Sequence, residues 1–213
     1  MPKQHRGVFV TFEGTEGAGK STLMKAVADV LIARRVTSKS IVITREPGGS
    51  RVAELIRNII LNEPMDPWTE LFLYEASRAE HMAETVLPAL REGKTVLCDR
   101  FTDSSLAYQS HARGLPWKEV SALNNTATQG VAPDLTVLID VDPAEGLKRA
   151  KEQNRFEAEG VKFQTKVRQG FLKARRANPN KWITIKAYSA SPEEMAYKVV
   201  LEIERRLGKR KIG

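Results

Sequence analysis

A glycine-rich segment, residues 14–21, constrains the fold of this chain more than any other part of its sequence. It fits the pattern G-x-x-x-x-G-K-[ST] and stands between the apolar run Val8–Glu13 and a helical pattern. The glycines let the backbone bend until successive N–H groups point at phosphate oxygens, and the following helix adds its positive end. We predict a phosphate-binding loop (P-loop) formed by Gly14, Thr15, Glu16, Gly17, Ala18, Gly19, Lys20, Ser21 and Thr22. The alternative is a glycine-rich turn whose lysine caps a helix.

Short apolar runs alternate with long helical patterns along the chain. Strands are predicted at Val8–Glu13, 40–44, Thr95–Asp99, 135–141 and Trp182–Lys186, and helices at 20–35, 51–61, 67–92, 116–130, 156–177 and Pro192–Leu207. This alternation predicts an α/β fold, a five-stranded parallel sheet with helices on both faces. Parallel sheets bind ligands beyond the carboxyl ends of their strands, so we expect the site there.

Size and composition exclude several classes of protein. At 213 residues the chain has the length of one domain, and we expect a single domain over residues 1–213. Its 41% hydrophobic and 28% charged residues exclude extensive disorder. Because no apolar run approaches the ~18 residues of a membrane span, we expect no membrane partner. Cys98 is the single cysteine, which excludes an internal disulfide and favours a cytoplasmic location.

The basic charge of the chain favours anionic partners. It carries 34 Lys and Arg residues against 26 Asp and Glu, a net charge of +8. Outside a basic tail at residues 205–213 the excess is scattered, without the interleaved aromatics that are typical of RNA and single-strand binders. We therefore expect a phosphorylated small molecule rather than nucleic acid.

Asp99 and Arg100 close the third predicted strand. An acidic residue at the end of a buried strand beside a P-loop is typical of the Walker B arrangement, which holds Mg²⁺ directly or through water. The alternative for Asp99 is a residue that caps the following turn. The Arg100 guanidinium is suited to bidentate clamping of a phosphate. Ser21 and Asp99 are thus the candidate metal ligands.

A P-loop alone does not distinguish kinases, motors and GTPase switches. The guanine-binding pattern N-K-x-D is missing at the one Asn-Lys pair, because Asn180-Lys181 is followed by Trp182-Ile183. Basic residues at several strand ends instead suit phosphoryl transfer between small molecules, since cations must offset the repulsion between two polyanions.

Two further strand-end segments carry a resemblance to a known family. They read Thr-Arg-Glu-Pro-Gly-Gly at 44–49 and Asp-Arg-Phe-Thr-Asp-Ser-Ser-Leu-Ala-Tyr-Gln at 99–109. With the P-loop, and with Asn-Arg-Phe-Glu at 154–157, they resemble the thymidylate kinase (dTMP kinase) family of the bacterial type, in the expected order from about residue 7 to residue 207. The resemblance implies transfer of the ATP γ-phosphate to dTMP, giving dTDP and ADP, with Mg²⁺, on a P-loop NTPase fold with a short lid.

The resemblance assigns residues to the nucleoside of the acceptor. Tyr74 would stack on thymine and Arg78 would hydrogen-bond to the base, one helical turn further along the same face. Ser105 and Gln109 would lie near the pyrimidine edge, and Tyr108 near the 2′ carbon. From the residues alone, Tyr74 and Tyr108 also fit the core side of ordinary amphipathic helices.

The resemblance also assigns residues to the phosphate end of the acceptor. Arg57 and Arg100 would hold the acceptor phosphate, although Arg57 also fits the solvated face of a helix. Glu16 would approach the sugar 3′-hydroxyl. Glu46 would orient Arg57, Arg100 or a hydrated metal ion.

Members of the family carry further basic residues either within the P-loop or in a lid after the fourth strand. Gly17 occupies the P-loop position here, so the resemblance implies the lid type, with the lid at about residues 149–160. Arg155 is then the first candidate for contacting the transferring phosphoryl group, with Arg149 and Lys151 behind it. The candidate catalytic residues are Lys20, Arg100, Arg155, Glu16 and Asp99.

Two other functions remain open at this stage. One is a kinase for another nucleoside monophosphate, and the other is a non-catalytic P-loop regulator or nucleic-acid binder. The family is generally dimeric, and the apolar residues of the helices over 67–92 and 116–130 are candidates for a homodimer surface. The histidines lack metal-ligand spacing and are expected to be structural or exposed.

Overall fold

All five predicted strands form one parallel sheet in the structure, a computed structural model that describes residues 7–34, 36–150 and 155–207. The sheet order is β2-β3-β1-β4-β5. The strands are β1 (Val8–Glu13), β2 (Ile41–Arg45), β3 (Thr95–Asp99), β4 (Leu135–Asp140) and β5 (Trp182–Lys186). The predicted α/β fold is confirmed, and each strand lies within one residue of its predicted bounds.

Helices follow every strand. They are α1 (Lys20–Ala33), α2 (Arg51–Asn62), α3 (Pro67–His81), α4 (Leu87–Arg91), α5 (Thr102–Ser105), α6 (Trp117–Ala127), α7 (Pro143–Arg149), α8 (Arg155–Ala158), α9 (Gly160–Ala177) and α10 (Pro192–Leu207). Wide π-helical turns span Met82–Val86 and Leu106–Ala112, and 3₁₀ turns span Ser38–Ser40 and Pro179–Lys181. None of the described helices combines the length and apolarity that a membrane span requires.

Three helical segments differ from the sequence-based expectation. The predicted helix over 156–177 is interrupted, because Gly160 has a φ of +76° that a continuous helix does not allow. Helix α7 and the helical segment over residues 102–112 were not predicted, since both are short and rich in polar or small residues, without a long apolar face. Some predicted positions lie outside the described residues: Lys151 of the lid, position 35 of the helix predicted over 20–35, and positions 208–213 of the basic tail.

Both faces of the sheet are apolar, as a parallel sheet requires. Along β1, Val8, Val10 and Phe12 pack into a core beneath α1 and α10, whereas Phe9 points to the opposite core beneath the Met82–Val86 turn. These four side chains are almost fully buried. Burying each contributes about 1.5–3 kcal/mol, so the alternating faces hold helices on both sides of the strand.

The sheet order brings three strand ends together. Because β1 lies beside β3, and β3 lies beside β2, the segments that leave these strands emerge at one edge. They are the P-loop, the segment beginning at Arg45-Glu46 and the segment beginning at Asp99-Arg100. This edge is where the sequence analysis expected the site.

Candidate active site

A cleft of about 730 Å³ opens at this edge, a volume within the range of small-molecule sites. Most residues assigned from the sequence line it: Glu16, Gly17, Ala18, Gly19, Lys20, Ser21, Thr22, Glu46, Arg57, Tyr74, Arg78, Asp99, Arg100, Tyr108 and Gln109. The other assigned residues, Gly14, Thr15, Ser105 and Arg155, are not part of its lining. Phosphate-binding backbone, cations and aromatic rings thus share one cavity.

The P-loop holds the Lys20 ammonium group against its own backbone. The Nζ atom donates to the Thr15 carbonyl at 3.0 Å and to the Gly14 carbonyl at 3.3 Å. Three glycines of the loop have positive φ, a region that glycine enters without strain, and this lets the loop wrap around the amine. Burial, reinforced by the nearby Arg100, lowers the pKa of Lys20. An anionic ligand strongly stabilises the charged form of such a buried amine, because it replaces the favourable interactions with water that burial removed.

Ser21 and Asp99 meet at the mouth of the P-loop. The Ser21 hydroxyl donates to Asp99 Oδ2 at 2.7 Å. The other carboxylate oxygen, Oδ1, is buried and has no hydrogen-bond partner among the described residues. A hydroxyl and a carboxylate with a free oxygen are ligands that Mg²⁺ prefers, so the residues present fit the predicted ion.

Arg100 spans the two halves of the cleft. It occupies the left-handed region with a φ of +68°, which is costly for a residue with a side chain and is typical of functional sites. Its Nη1 donates to the Gly14 carbonyl at 2.9 Å and its Nη2 to Glu16 Oε1 at 2.6 Å. The guanidinium also lies 5.0 Å from the ring centroid of Tyr108. One cation therefore contacts both the P-loop and the aromatic half.

Glu16 receives two donors in this arrangement. Besides Arg100, the Tyr108 hydroxyl donates to the same oxygen at 2.8 Å. Burial alone raises the pKa of Glu16, but the charges of Arg100 and Lys20 outweigh burial, so that the net pKa lies below its usual value. Glu16 is thus an ionised acceptor close to the cations of the cleft.

Arg78 is the most deeply buried cation of the site, at 1% exposure. Its Nε donates to Glu46 at 2.8 Å, and its Nη1 donates to Glu75 at 2.7 Å and to Asn124 at 2.6 Å. Because Nη1 also donates to Ser105 Oγ at 3.1 Å, Ser105 acts on the cleft through Arg78. Its Nη2 donates to the Phe101 carbonyl at 3.2 Å, so the guanidinium is held rigidly where Arg78 lines the cleft.

The expected role of Glu46 needs correction. Its carboxylate does not pair with Arg57 or Arg100, but with Arg78 and with His81 Nδ1, the latter at 2.9 Å. The side chains of α3 reach Glu46 first because that helix packs across the segment after β2. Arg57 instead donates to the Pro47 carbonyl at 2.9 Å while lining the cleft.

Comparison with known proteins agrees with this arrangement. The family model described as thymidylate kinase matches residues 12–199. The chain is 47% identical over 189 residues to a thymidylate kinase of Bacillus velezensis, covering 85% of this chain and 88% of that one. It is 44% identical over 210 residues to a thymidylate kinase of Lactobacillus helveticus, covering 95% and 98% of the two chains. The chain belongs to the thymidylate kinase family.

A solved structure extends the agreement to the fold. The crystal structure of thymidylate kinase from Ehrlichia chaffeensis is similar with a TM-score of 0.76 at 30% identity, covering 92% of this chain and 98% of that one. The interpretation of the chain as an ATP-dependent dTMP kinase with a P-loop NTPase fold is thereby confirmed. The roles of individual residues stay predictions.

Arg149 and Arg155, the two described arginines of the predicted lid in this thymidylate kinase family member, differ in their position relative to the cleft. Arg155 donates through Nε to the Ile60 carbonyl at 2.6 Å, and its Nη1 lies 2.7 Å from Glu70 Oε2. Arg149 does line the cleft, where its guanidinium stacks 3.6 Å from the ring centroid of Tyr188. The geometry therefore favours neither arginine as the cation on the transferring group.

Several side chains of the site were missed in the sequence. Glu70 and His81 are fully buried polar residues of α3, and Phe156 lines the cleft with ring-centroid distances of 5.9 Å to Tyr108 and 6.4 Å to Tyr74. A signal was present, because Glu70 precedes Tyr74 by four residues and His81 follows Arg78 by three, which puts them on the same helix face.

Helix α7 packs directly on the P-loop, and this contact yields a first prediction. A Cβ added to Gly146 would lie 2.4 Å from the Glu16 carbonyl oxygen. Alanine usually stabilises a helix interior by about 1 kcal/mol relative to glycine. Here we expect Gly146→Ala to displace the P-loop and raise the KM for ATP by at least about tenfold.

Steady-state kinetics with varied ATP tests this prediction. Lys148→Ala, at an exposed position of the same helix, is the matched control and should leave the KM for ATP unchanged. An unchanged KM in Gly146→Ala would mean that the P-loop does not depend on this close approach.

A buried acidic pair beside the site yields a second prediction, on pH. Glu13 accepts from the Phe101 N–H at 2.8 Å and from the Ser104 hydroxyl at 2.6 Å. Burial, and then the nearby Asp103, raise the pKa of Glu13 from 4.5 to about 8. Since the unfolded chain releases this proton first, the stability that Glu13 contributes is complete below pH 4.5 and is lost as pH rises to about 8.

We expect the free energy of unfolding to fall over this range by up to about 1.4 kcal/mol per pH unit from this group. Denaturant titrations at several pH values measure it. Glu13→Gln should reduce the dependence of the free energy of unfolding on pH by the contribution of up to one proton. Glu84→Gln, at an exposed position, should leave this dependence unchanged. Equal slopes in Glu13→Gln and the unchanged chain would show that folding does not raise the pKa of Glu13.

Proposed function

We propose that this cleft holds ATP and dTMP end to end, with the P-loop on the ATP phosphates and the aromatic half on the nucleoside of dTMP. The observation that carries the proposal is the position of Arg100. Its guanidinium contacts Gly14 and Glu16 of the P-loop and the ring of Tyr108 in the aromatic half. A cation at the junction of two anionic substrates offsets their mutual repulsion.

The acceptor half has the chemistry that a pyrimidine nucleotide requires. Tyr74, Tyr108 and Phe156 supply ring faces, and Arg78 and Gln109 supply polar groups at the cleft wall. Aromatic stacking together with a few convergent polar groups is typical of nucleobase pockets. Arg57 lines the same cleft and is the proposed second cation for the dTMP phosphate.

The proposed mechanism rests on positioning and charge. Lys20 and Arg100 both line the cleft, and they are the proposed cations that neutralise charge on the transferring phosphoryl group. Little covalent help is needed, because the transition state of phosphoryl transfer is loose and its charge is spread over oxygen atoms. Glu16 is proposed to orient the sugar 3′-hydroxyl while holding Arg100 in place. Mg²⁺ held by Ser21 and Asp99 would add charge neutralisation at the phosphates.

The lid would complete the site. We propose that residues 149–160 close over bound nucleotides and bring Arg155, Arg149 or Lys151 to the phosphates, excluding water. For Arg155 this requires release from Glu70 and from the Ile60 carbonyl.

The wider context of the enzyme is also proposed. Leu55, Ile59 and Phe72, on the packed helices α2 and α3, are each about half exposed and support a homodimer formed through this side of the protein. We propose one domain over residues 1–213 and a cytoplasmic location, where the lone, buried Cys98 stays reduced.

A substrate panel tests the proposed function. Purified protein with Mg²⁺ and ATP is offered dTMP, dUMP, UMP, CMP, AMP and GMP, and ADP formation is followed. We expect the highest kcat/KM with dTMP. Preference for another nucleotide would contradict the substrate. If no nucleotide of the panel supports ADP formation, the assignment as a nucleoside monophosphate kinase would be contradicted.

A further inference from the structure

Glu70 is a buried carboxylate behind the wall of the cleft that accepts two hydrogen bonds and forms an ion pair with a second arginine. It lies in the first turn of α3, where it is 0% exposed. Its Oε1 accepts from Gln109 Nε2 at 2.8 Å and from Arg113 Nε at 2.7 Å. Its Oε2 faces Arg155 Nη1 at 2.7 Å. In the proposed mechanism this carboxylate appears only as the partner that Arg155 leaves when the lid closes.

The contact with Glu70 decides which end of the Gln109 amide faces the cleft. In the structure Gln109 Nε2 donates to Glu70 Oε1, a carboxylate oxygen that also accepts from Arg113 Nε. The NH₂ group of Gln109 must therefore point at Glu70. Because Oε1 and Nε2 diverge from the same carbon of a planar amide, Oε1 points away from Glu70, and Gln109 is one of the residues that line the cleft.

An oriented amide distinguishes between nucleobases. The hydrogen-bonding edge of thymine or uracil carries an N3–H donor, whereas cytosine carries an unprotonated N3 acceptor in the same place. A carbonyl oxygen presented by Gln109 accepts a hydrogen bond from the N3–H group of thymine or uracil. Opposite cytosine the same oxygen faces the N3 acceptor and is left unpaired. Leaving a buried polar group unpaired is a strong source of rejection.

We propose that Glu70 is a positioning residue that sets the specificity for the base, by holding Gln109 with its carbonyl oxygen toward a pyrimidine that carries a ring N–H. The inference deepens the proposed function, since it rests on Gln109 lying at the pyrimidine edge of bound dTMP. Glu70 itself does not contact the substrate.

The two oxygens of Glu70 allow this role to be separated from the lid. Gln109 uses Oε1, whereas the lid residue Arg155 uses Oε2. A variant of Arg155 removes the lid contact and leaves the bond to Gln109 in place. If Glu70 mattered only as an anchor of the lid, a variant of Glu70 and a variant of Arg155 would have the same effect on the specificity for the base.

The test compares dTMP with dCMP in Glu70→Gln and Glu70→Asp. The first introduces an amide that can face Gln109 with either end, and the second retains the charge on a side chain one methylene shorter. We expect each to lower the ratio of kcat/KM for dTMP over dCMP by about tenfold or more. The ratio of dissociation constants from calorimetry should fall in parallel. Because both ligands are measured on the same sample, the folded fraction cancels.

Gln109→Leu and Arg155→Gln provide the controls. Gln109→Leu should lower the same ratio, and adding Glu70→Gln to it should lower the ratio no further, because the two residues act as one unit. Arg155→Gln should retain the unchanged ratio even if its kcat falls. These results together would establish the role of Glu70.

Several results would overturn the proposal. A ratio within about threefold of the unchanged chain in both Glu70 variants would do so, as would additive effects with Gln109→Leu or an equal loss in Arg155→Gln. Loss of folded protein in both Glu70 variants would make Glu70 a structural residue instead. Failure of the proposed function is a separate outcome, in which the unchanged chain itself shows no preference for dTMP.

Discussion

Lys20→Ala is expected to lower kcat with ATP and dTMP at least about a hundredfold while the fold survives. The Lys20 ammonium is buried in the cleft against the Gly14 and Thr15 carbonyls, in the place where a P-loop receives the β- and γ-phosphates. Removing it takes away a charge that interacts more strongly with the transition state than with bound substrate. Turnover measured by coupled ADP release gives the effect.

Lys25→Ala is the matched control for this prediction. Lys25 lies on the same helix, α1, and is exposed, so its loss should leave kcat unchanged. Circular dichroism of both variants reports whether the fold is intact. Near-normal turnover in Lys20→Ala would contradict the assignment of the P-loop to ATP phosphates.

Arg78→Ala is expected to have the second largest effect, on dTMP use and on stability together. The guanidinium is 1% exposed and pairs with Glu46 and Glu75, which are themselves buried. Its removal leaves Glu75 without its cation and Glu46 with His81 alone, which costs about 3–5 kcal/mol of the free energy of unfolding. Because Arg78 also lines the cleft, kcat/KM for dTMP should fall at least about a hundredfold.

The comparison between substrates makes this prediction specific. The KM for ATP, measured at a temperature where Arg78→Ala is folded, should stay within about threefold of its original value. Arg34→Ala, which removes an arginine paired with Glu204 far from the cleft, should change neither KM and should cost much less stability. Equal losses for dTMP and ATP in Arg78→Ala would remove Arg78 from the acceptor pocket.

Local pattern was sufficient for the strands and for the P-loop. Residues such as Val8, Phe9 and Val10 are apolar in succession because both sheet faces are covered, and a run of this kind has few other stable arrangements. The spacing of Gly14, Gly19 and Lys20 likewise has a local cause, since the turn and the following helix start arise within one short segment.

Local pattern was not sufficient where a side chain takes its partner from a distant element. Glu46 was expected near Arg57 or Arg100, yet Arg78 and His81 reach it from α3. The helical segment over residues 102–112 likewise depends on its tertiary contacts, because it packs against α9 and α6 although its sequence is largely polar. Tertiary packing overrides intrinsic propensity in such segments.

The lid illustrates the same limit. Arg155 was expected at the transferring phosphoryl group, a position that depends on the charge and geometry of a bound ligand. In the structure it pairs with Glu70, a residue 85 positions earlier in the chain. Glu70 is buried only because helix α3 is packed in the folded protein. Arg155 can either pair with Glu70 or contact the transferring phosphoryl group, but it cannot do both at once.

The sequence by itself determined the layered α/β architecture, the phosphate-binding loop and the residue types of the cleft, because each of these follows from short-range periodicity and backbone freedom. Only the tertiary structure decided which carboxylate pairs with which guanidinium, which end of Gln109 faces Glu70 and how closely α7 approaches the P-loop. Those choices depend on which groups are desolvated together, and desolvation is a property of the assembled elements.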